Sequence, residues 1–242
     1  DRAAILHFGA VDYRADVYVN DTHVGAHTGG YLPFDLDVTA ALRAGQNTLR
    51  VRVDDSPDIF PEIAHGKQSW YGMLSGIWQS VWLEFRPAAH IVAIRATPDL
   101  ATGRVDVAVD VAESGGTRVR AEILAPDETV VAETTGAGQP RPAPDTRAET
   151  TGAGQPRPYE TVELSLTVAN PLAWDVTGPH LYRLRVTLDA SGDTLETHFG
   201  FRTVETRAGQ IWLNGRPLYL RAALDQNYYP DLIYTAPSAE YI

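Results

Sequence analysis

Six consecutive residues, Thr48-Leu49-Arg50-Val51-Arg52-Val53, alternate polar and apolar without a break, and the same two-residue period returns along most of the chain. Side chains alternate across a β-strand, so such a run buries one face and wets the other. Leu49, Val51 and Val53 are set inward, with Arg50 and Arg52 outward. Ala15 to Asn20 repeats the pattern with Val17 and Val19 on one face, and Asn20-Asp21 turns it toward His23-Val24-Gly25. Val81 to Phe85 repeats it with larger side chains. The one short helical candidate is Val38 to Leu42, which Asp37 would cap. Short strands bounded by Gly, Pro, Asn and Asp specify an antiparallel sandwich, and 242 residues are enough for two domains of ordinary size.

From about His90 the pattern restarts, which marks a second β domain. Strands are expected at Ile91–Thr97, Arg104–Val111, Arg118–Leu124, Thr129–Glu133, Thr161–Val168, Tyr182–Asp189 and Glu196–Arg202. This spacing fits an immunoglobulin-like sandwich without the cysteine pair of antibody domains. Inside it, the eleven residues from Ala132 to Pro142, AETTGAGQPRP, recur letter for letter from Ala148 to Pro158. Two copies do not make a solenoid. Their Gly, Pro, Thr and Ala cannot build a core, so 132–158 is expected to be a flexible duplicated loop.

A third region begins near residue 205. Ile211–Leu213 and Pro217–Arg221 form a hairpin pattern about Asn214-Gly215, a dipeptide that tolerates positive φ. An apolar strand, Leu218 to Leu224, then runs into Asp225-Gln226-Asn227-Tyr228-Tyr229. A barrel strand delivers polar side chains to a site at its C-terminal end in this way. Too few residues follow to build the barrel, so the catalytic chemistry is expected elsewhere.

Several classes of function are disfavoured. Thirty-one Asp and Glu face 20 Lys and Arg with no basic patch, so a nucleic-acid backbone would meet repulsion. No run of about eighteen apolar residues exists to span a membrane as a helix. Cysteine is absent, which removes thiolate metal sites, and the seven histidines show no HExxH spacing. No metal and no cofactor are therefore expected. His23 and His27, four apart, are expected on one side of a bend. The pairs Asp35/Asp37 and Asp54-Asp55 read as turn or cap residues.

The block from Gly66 to Trp82 holds three Trp and one Tyr within thirteen residues, among glycines and amides. Sugar C–H faces stack on aromatic rings while amides and hydroxyls satisfy the ring hydroxyls. Gln68, Ser69, Trp70 and Tyr71 lie in the loop part of the block and are candidate sugar contacts, beside the only lysine, Lys67. Trp78 and Trp82, four apart, would share one strand face and belong to a core or interface. Arg221 reads equally as a substrate-site residue or a buried ion-pair partner, and Asp225 and Asn227 as pocket lining.

The runs HFGAVDYRADVYVND at 7–21, HTGGYLPFDLDVT at 27–39, NTLRVRVDD at 47–55 and SGIWQSVWLE at 75–84 resemble the sugar-binding jelly roll of glycoside hydrolase family 2, which includes β-galactosidases, β-glucuronidases and β-mannosidases. NPLAWDVTGPHLYRLRVTL at 170–188 is similar to that family's immunoglobulin-like domain, and FGFRTVE through YLRAALDQNYYPD to the entry of its (β/α)8 barrel.

The resemblance implies an all-β chain. A jelly roll over 1–88, short at its front, precedes an immunoglobulin-like sandwich over 89–204, and 205–242 open the barrel. It also implies that the two catalytic glutamates of a retaining mechanism lie on later barrel strands, so no residue here takes either role. Gln68, Ser69, Trp70 and Tyr71 match the loop lent to the sugar site. Arg221 matches the family's Arg-Gly at the first barrel strand, with Ala222 in place of the glycine. The implied partners are a β-linked carbohydrate and the barrel domain, with self-association through an unfilled sheet edge. A stand-alone pair of carbohydrate-binding sandwiches, and a structural spacer, are the competing readings.

Overall fold

The computed structural model describes residues 2–55, 75–137, 141–142, 159–224, 229, 232 and 235–241, almost all in strands and turns. Two compact units are present. One comprises the described residues between 2 and 86 with those from 223 onward, the other those between 87 and 222.

The front unit holds β1 (Arg2–Phe8), β2 (Val11–Asp12), β3 (Arg14–Val19), β4 (Thr22–Thr28), β5 (Phe34–Asp37), β6 (Leu49–Asp54), β7 (Gly76–Ile77) and β8 (Val81–Pro87). One sheet has the order β5-β1-β8, a second β4-β3-β6, and β2 pairs with β7. Ala4, Leu6 and Phe8 of β1 meet Ala15, Val17 and Val19 of β3 in the core, with Val51, Val53 and Val81 packed against them. The alternation expected of Thr48 to Val53 therefore holds. The predicted helical turn shrinks to a 3-10 turn, Thr39–Ala41, and the Asp37 carboxylate accepts from the Thr39 backbone N–H at 2.8 Å.

This sandwich is open along one end. Leu83 and Phe85 share the pleat face of core-packed Val81, and Leu49 that of Val51. Yet the three are 44 %, 51 % and 46 % exposed. Phe85 lines an open cavity of about 450 Å³ with Arg2, Ala4, Thr39 and Leu42. Strands β8 and β6 end their respective sheets, and nothing among the described residues covers their core-facing side chains there.

The rear unit contains β9 (His90–Pro98), β10 (Arg104–Ala112), β11 (Val119–Leu124), β12 (Val130–Gly136), β13 (Arg141–Pro142), β14 (Tyr159–Thr167), β15 (Trp174–Asp175), β16 (Gly178–Pro179), β17 (Tyr182–Leu188), β18 (Thr194–Phe199), β19 (Val204–Arg207), β20 (Gln210–Leu213) and β21 (Arg216–Leu218). Sheets β13-β14-β10-β9 and β12-β11-β17-β18 form an immunoglobulin-like sandwich, and all seven expected strands are present. Val105, Val107, Val109 and Val111 of β10 pack with Ile123, Leu184, Val186 and Leu188 from the other sheet. Two buried carboxylates are paired. Asp193 accepts from the Ile91 N–H at 2.8 Å, and Asp110 accepts from Arg95 and from Thr161.

One expectation fails here, and a second is not confirmed. The first repeat copy does not begin as a loop. Ala132 to Gly136 run in β12 against β11, in a register from Val119↔Gly136 to Ile123↔Ala132. An open strand edge on β11 supplies hydrogen-bond partners that composition does not reveal. Residues 143–158, with the second copy, lie outside the described residues. The hairpin at Asn214-Gly215 forms as expected, with φ of 49° and 74°. Its second strand, however, stops at Leu218. Tyr219, Leu220 and Leu224 are 85 %, 60 % and 82 % exposed, and among the described residues 219–224 join no sheet. A parallel strand needs neighbours to accept its backbone hydrogen bonds, and 219–224 have none among the described residues.

Candidate functional site

Gln68, Ser69, Trp70, Tyr71, Asp225 and Asn227 lie outside the described residues. Arg221 is exposed in the irregular segment after β21 rather than buried in an ion pair. Of the predicted site residues only Arg221 is described; near the others in sequence lie Trp78 and Thr235, which meet each other, and Trp78 also meets the Gly29-Gly30-Tyr31-Leu32-Pro33 loop.

The loop rests on a pile of rings. Phe8 stacks on Phe34 at 4.7 Å, and Phe34 on His27 at 4.3 Å. A bulge in the β3–β4 register, between Val17 and Tyr18, separates the two histidines. His23 reaches solvent beside Asp16 and Tyr18, while His27 is buried. This corrects the expectation that both lie on one side. Burial holds the His27 imidazole below its ordinary pKa of 6.5, partly offset by a hydrogen bond to the Gly29 backbone, and its Nε2 has no hydrogen-bond partner.

The glycines then have separate reasons to be glycine. Gly29, at φ 127°, donates to the Tyr13 carbonyl at 2.9 Å. At Gly30 a Cβ would lie 2.5 Å from Asp12 Oδ1, and the Gly30 carbonyl accepts from Trp78 Nε1 at 2.7 Å. The loop thereby delivers Tyr31 edge-on to Trp78, ring centroids 5.9 Å apart at 69°. Thr235 Oγ1 donates to the Trp78 carbonyl at 3.1 Å, tying the later segment to the same residue.

Trp78 and Trp82 do not share a strand face, because the chain leaves β7 after Ile77 and re-enters β8 at Val81. Trp82 is 49 % exposed and stacks on His7, which meets Glu84 at 3.1 Å. Of the carboxylate pairs, Asp54 ends β6. Asp35 sits opposite His7 at an exposed register position, and Asp37 caps its turn. Among the described residues no three metal-ligating side chains converge, and no helix is long and apolar enough to cross a membrane. Sequence reasoning singled out neither Tyr31 nor Thr235, and named His27 only beside His23. The HTGGYLPF run was visible, but nothing local in it says that Gly30 must clear Asp12.

The family model for the sugar binding domain of glycosyl hydrolases family 2 matches residues 1–87, and the model for glycosyl hydrolases family 2 matches residues 89–202. A β-galactosidase of Aeromonas hydrophila is 34 % identical over 224 residues, 89 % of this chain and 20 % of that protein. A β-galactosidase of Thermoanaerobacter pseudethanolicus is 30 % identical over 234 residues, 93 % of this chain and 29 % of that protein. The chain thus spans less than a third of the length of these relatives. A crystal structure of a Parabacteroides merdae β-glucuronidase superposes with a TM-score of 0.77 at 22 % identity, covering 97 % of this chain and 30 % of that one, a likeness of fold.

Proposed function

This chain belongs to glycosyl hydrolases family 2, and on that premise we propose that it is the non-catalytic N-terminal portion of a retaining exo-acting β-glycosidase. In this reading residues 1–88 are the sugar-binding jelly roll, 89–204 the immunoglobulin-like spacer, and 205–242 the entry to a catalytic barrel. The observation that carries it is the order of the two family models along the chain, sugar-binding domain first.

Retention uses two carboxyl groups about 5–5.5 Å apart, one protonating the leaving oxygen and one attacking the anomeric carbon. Both belong to the barrel, and this chain builds one wall of the pocket. Gln68 and Ser69 supply donors and acceptors to sugar hydroxyls, which are costly to bury unpaired. Trp70 and Tyr71 offer stacking faces. Arg221, Asp225 and Asn227 line the side that the barrel entry provides. The partners are a terminal β-linked sugar and the barrel domain.

The test is hydrolysis of 4-nitrophenyl β-D-galactoside, β-D-glucuronide and β-D-mannoside by the product of the whole gene, with its intact mass measured on the same sample. Turnover of one substrate by a protein well above 26.4 kDa is the expected result. Sugar binding without turnover would leave a binding module, and neither binding nor turnover would end the reading.

A further inference from the structure

We propose that Trp82 and His7 form a stacking platform for a neutral β-linked oligosaccharide on the outer face of the β5-β1-β8 sheet. The ligand class rests on the carbohydrate reading above, while the site is built from described residues alone. Val81 packs on the front core, so the alternation of β8 sends Trp82 and Glu84 to the opposite face. Folding gains little from a tryptophan there. Trp82 is 49 % exposed, and its ring partner is the His7 imidazole, with centroids 4.8 Å apart and planes at 11°.

A near-parallel neighbour covers one side of a flat ring, so the exposure of Trp82 falls on the other side and on its edge. His7 is itself held in place. Its Nε2 meets Glu84 Oε2 at 3.1 Å, and Arg86 Nε lies 3.7 Å from the second oxygen of that carboxylate. A ring braced before binding loses little conformational entropy when a ligand stacks on it.

The surroundings select a sugar over a protein partner or a lipid surface, both of which call for a contiguous apolar patch. This face has one exposed apolar ring. Ile5, a large apolar side chain turned the same way as His7, is only 8 % exposed, and the neighbours of Trp82 are polar. Glu84 is 43 % exposed beside the ring, and Asp35 stands opposite His7 in the β1–β5 register at an exposed position. A pyranose uses this mixture, an aromatic face for its C–H groups and carboxylate oxygens for its hydroxyls. Glu84 is already engaged by His7 and Arg86, which favours a neutral ligand over a cation, and the net charge of -11 disfavours an anionic one. Asp35 is two strand spacings from β8, about 10 Å, so a glycan of two or more units is the expected ligand.

Isothermal titration calorimetry of the full chain with cellotetraose, β-1,4-mannotetraose and β-1,4-galactotetraose reads the platform. Saturable binding of at least one of them is the expected result. W82A should weaken it about three- to tenfold, and W82F, which keeps a ring, should recover part of that loss. Equal thermal midpoints for the variants show that the fold is intact. Binding of full strength in W82A overturns the platform, and its loss in W70A instead would give the sugar to the 68–71 loop with the glycosidase reading still standing. No saturable heat with any of the three also overturns the platform, whereas the glycosidase reading stands or falls on hydrolysis of the nitrophenyl glycosides.

Discussion

In the rear sandwich every core-facing valine of β10 is fully buried, whereas in the front one β8 and β6 turn Leu83, Phe85 and Leu49 toward solvent. Both are built from the same two-residue alternation. Alternation decides which side of a strand faces inward, and coverage by the opposing sheet decides whether inward means dry. In the rear unit β10 is flanked by β14 and β9, and β11 and β17 lie in the facing sheet. In the front unit the edge strands extend past their cover.

The largest expected effect compares one large side chain from each unit. Leu184→Ala removes a fully buried side chain and should cost about 2–5 kcal/mol, the range for a core cavity. Phe85→Ala, about half exposed already, should cost about 1 kcal/mol or less despite losing more atoms. Urea unfolding of the two variants measures both. Equal losses would mean that the open end is closed in solution.

Backbone clearance sharpens the same contrast. Gly103, at φ 71°, would place a Cβ 2.2 Å from the Val168 carbonyl oxygen, while its own carbonyl accepts from the Val168 N–H at 2.9 Å. The turn cannot move away without breaking that bond, so Gly103→Ala should cost about 2 kcal/mol or more. Gly45, at φ 86°, has no atom within 4 Å of its would-be Cβ. Gly45→Ala carries the conformational penalty alone, about 1 kcal/mol. Similar losses at the two sites would show that φ rather than space limits both.

Strand positions were legible because alternation is a local property, and so was the Asn214-Gly215 turn, whose chemistry is local too. What depended on distant partners was not. The letters AETTG occur twice, and the first copy is a strand because β11 lies beside it. Spacing leaves Trp82 as core or interface, and only its partner His7 places it at an exposed edge. His23 and His27 part company at a one-residue bulge that no spacing rule marks. Leu218 to Leu224 reads as a barrel strand because its residues are apolar, but apolarity does not supply neighbours. The candidate site was legible as a composition of aromatics and amides. The loop that meets Trp78 was not, because Gly30 is shaped by Asp12, eighteen positions earlier.

Acid should separate the two units next. Burial holds the pKa of His27, in the front unit, below its ordinary 6.5. The unfolded chain then binds the proton first as pH falls, so stability is full above about 6.5 and declines below it. In the rear unit Glu196 is held below its ordinary 4.5, mainly by its hydrogen bond from Arg185. That contribution is present above about 4.5 and is lost only as pH falls below it. Thermal midpoints between pH 7.5 and 5.0 should therefore fall for the front transition before the rear one. His27→Phe, which keeps a ring on Phe34, should flatten the early fall. A front transition independent of pH across 6.5 would show that His27 does not carry it.

The smallest effect on folding tests the open edge itself. An edge strand with apolar side chains invites pairing with another chain, and a lysine there opposes it. Leu83→Lys places a charge on a side chain that is already 44 % exposed, so stability should change by no more than about 0.5 kcal/mol. Its consequence should appear in association, as a shift toward monomer in sedimentation velocity at a concentration where the unsubstituted chain self-associates. Val204→Lys, at a 62 % exposed position in the rear unit, is the matched control and should leave association unchanged. If both lysines act alike, general repulsion explains the result. If neither acts while the chain still associates, the contact lies away from β8, and coverage of that edge is not what the front unit lacks.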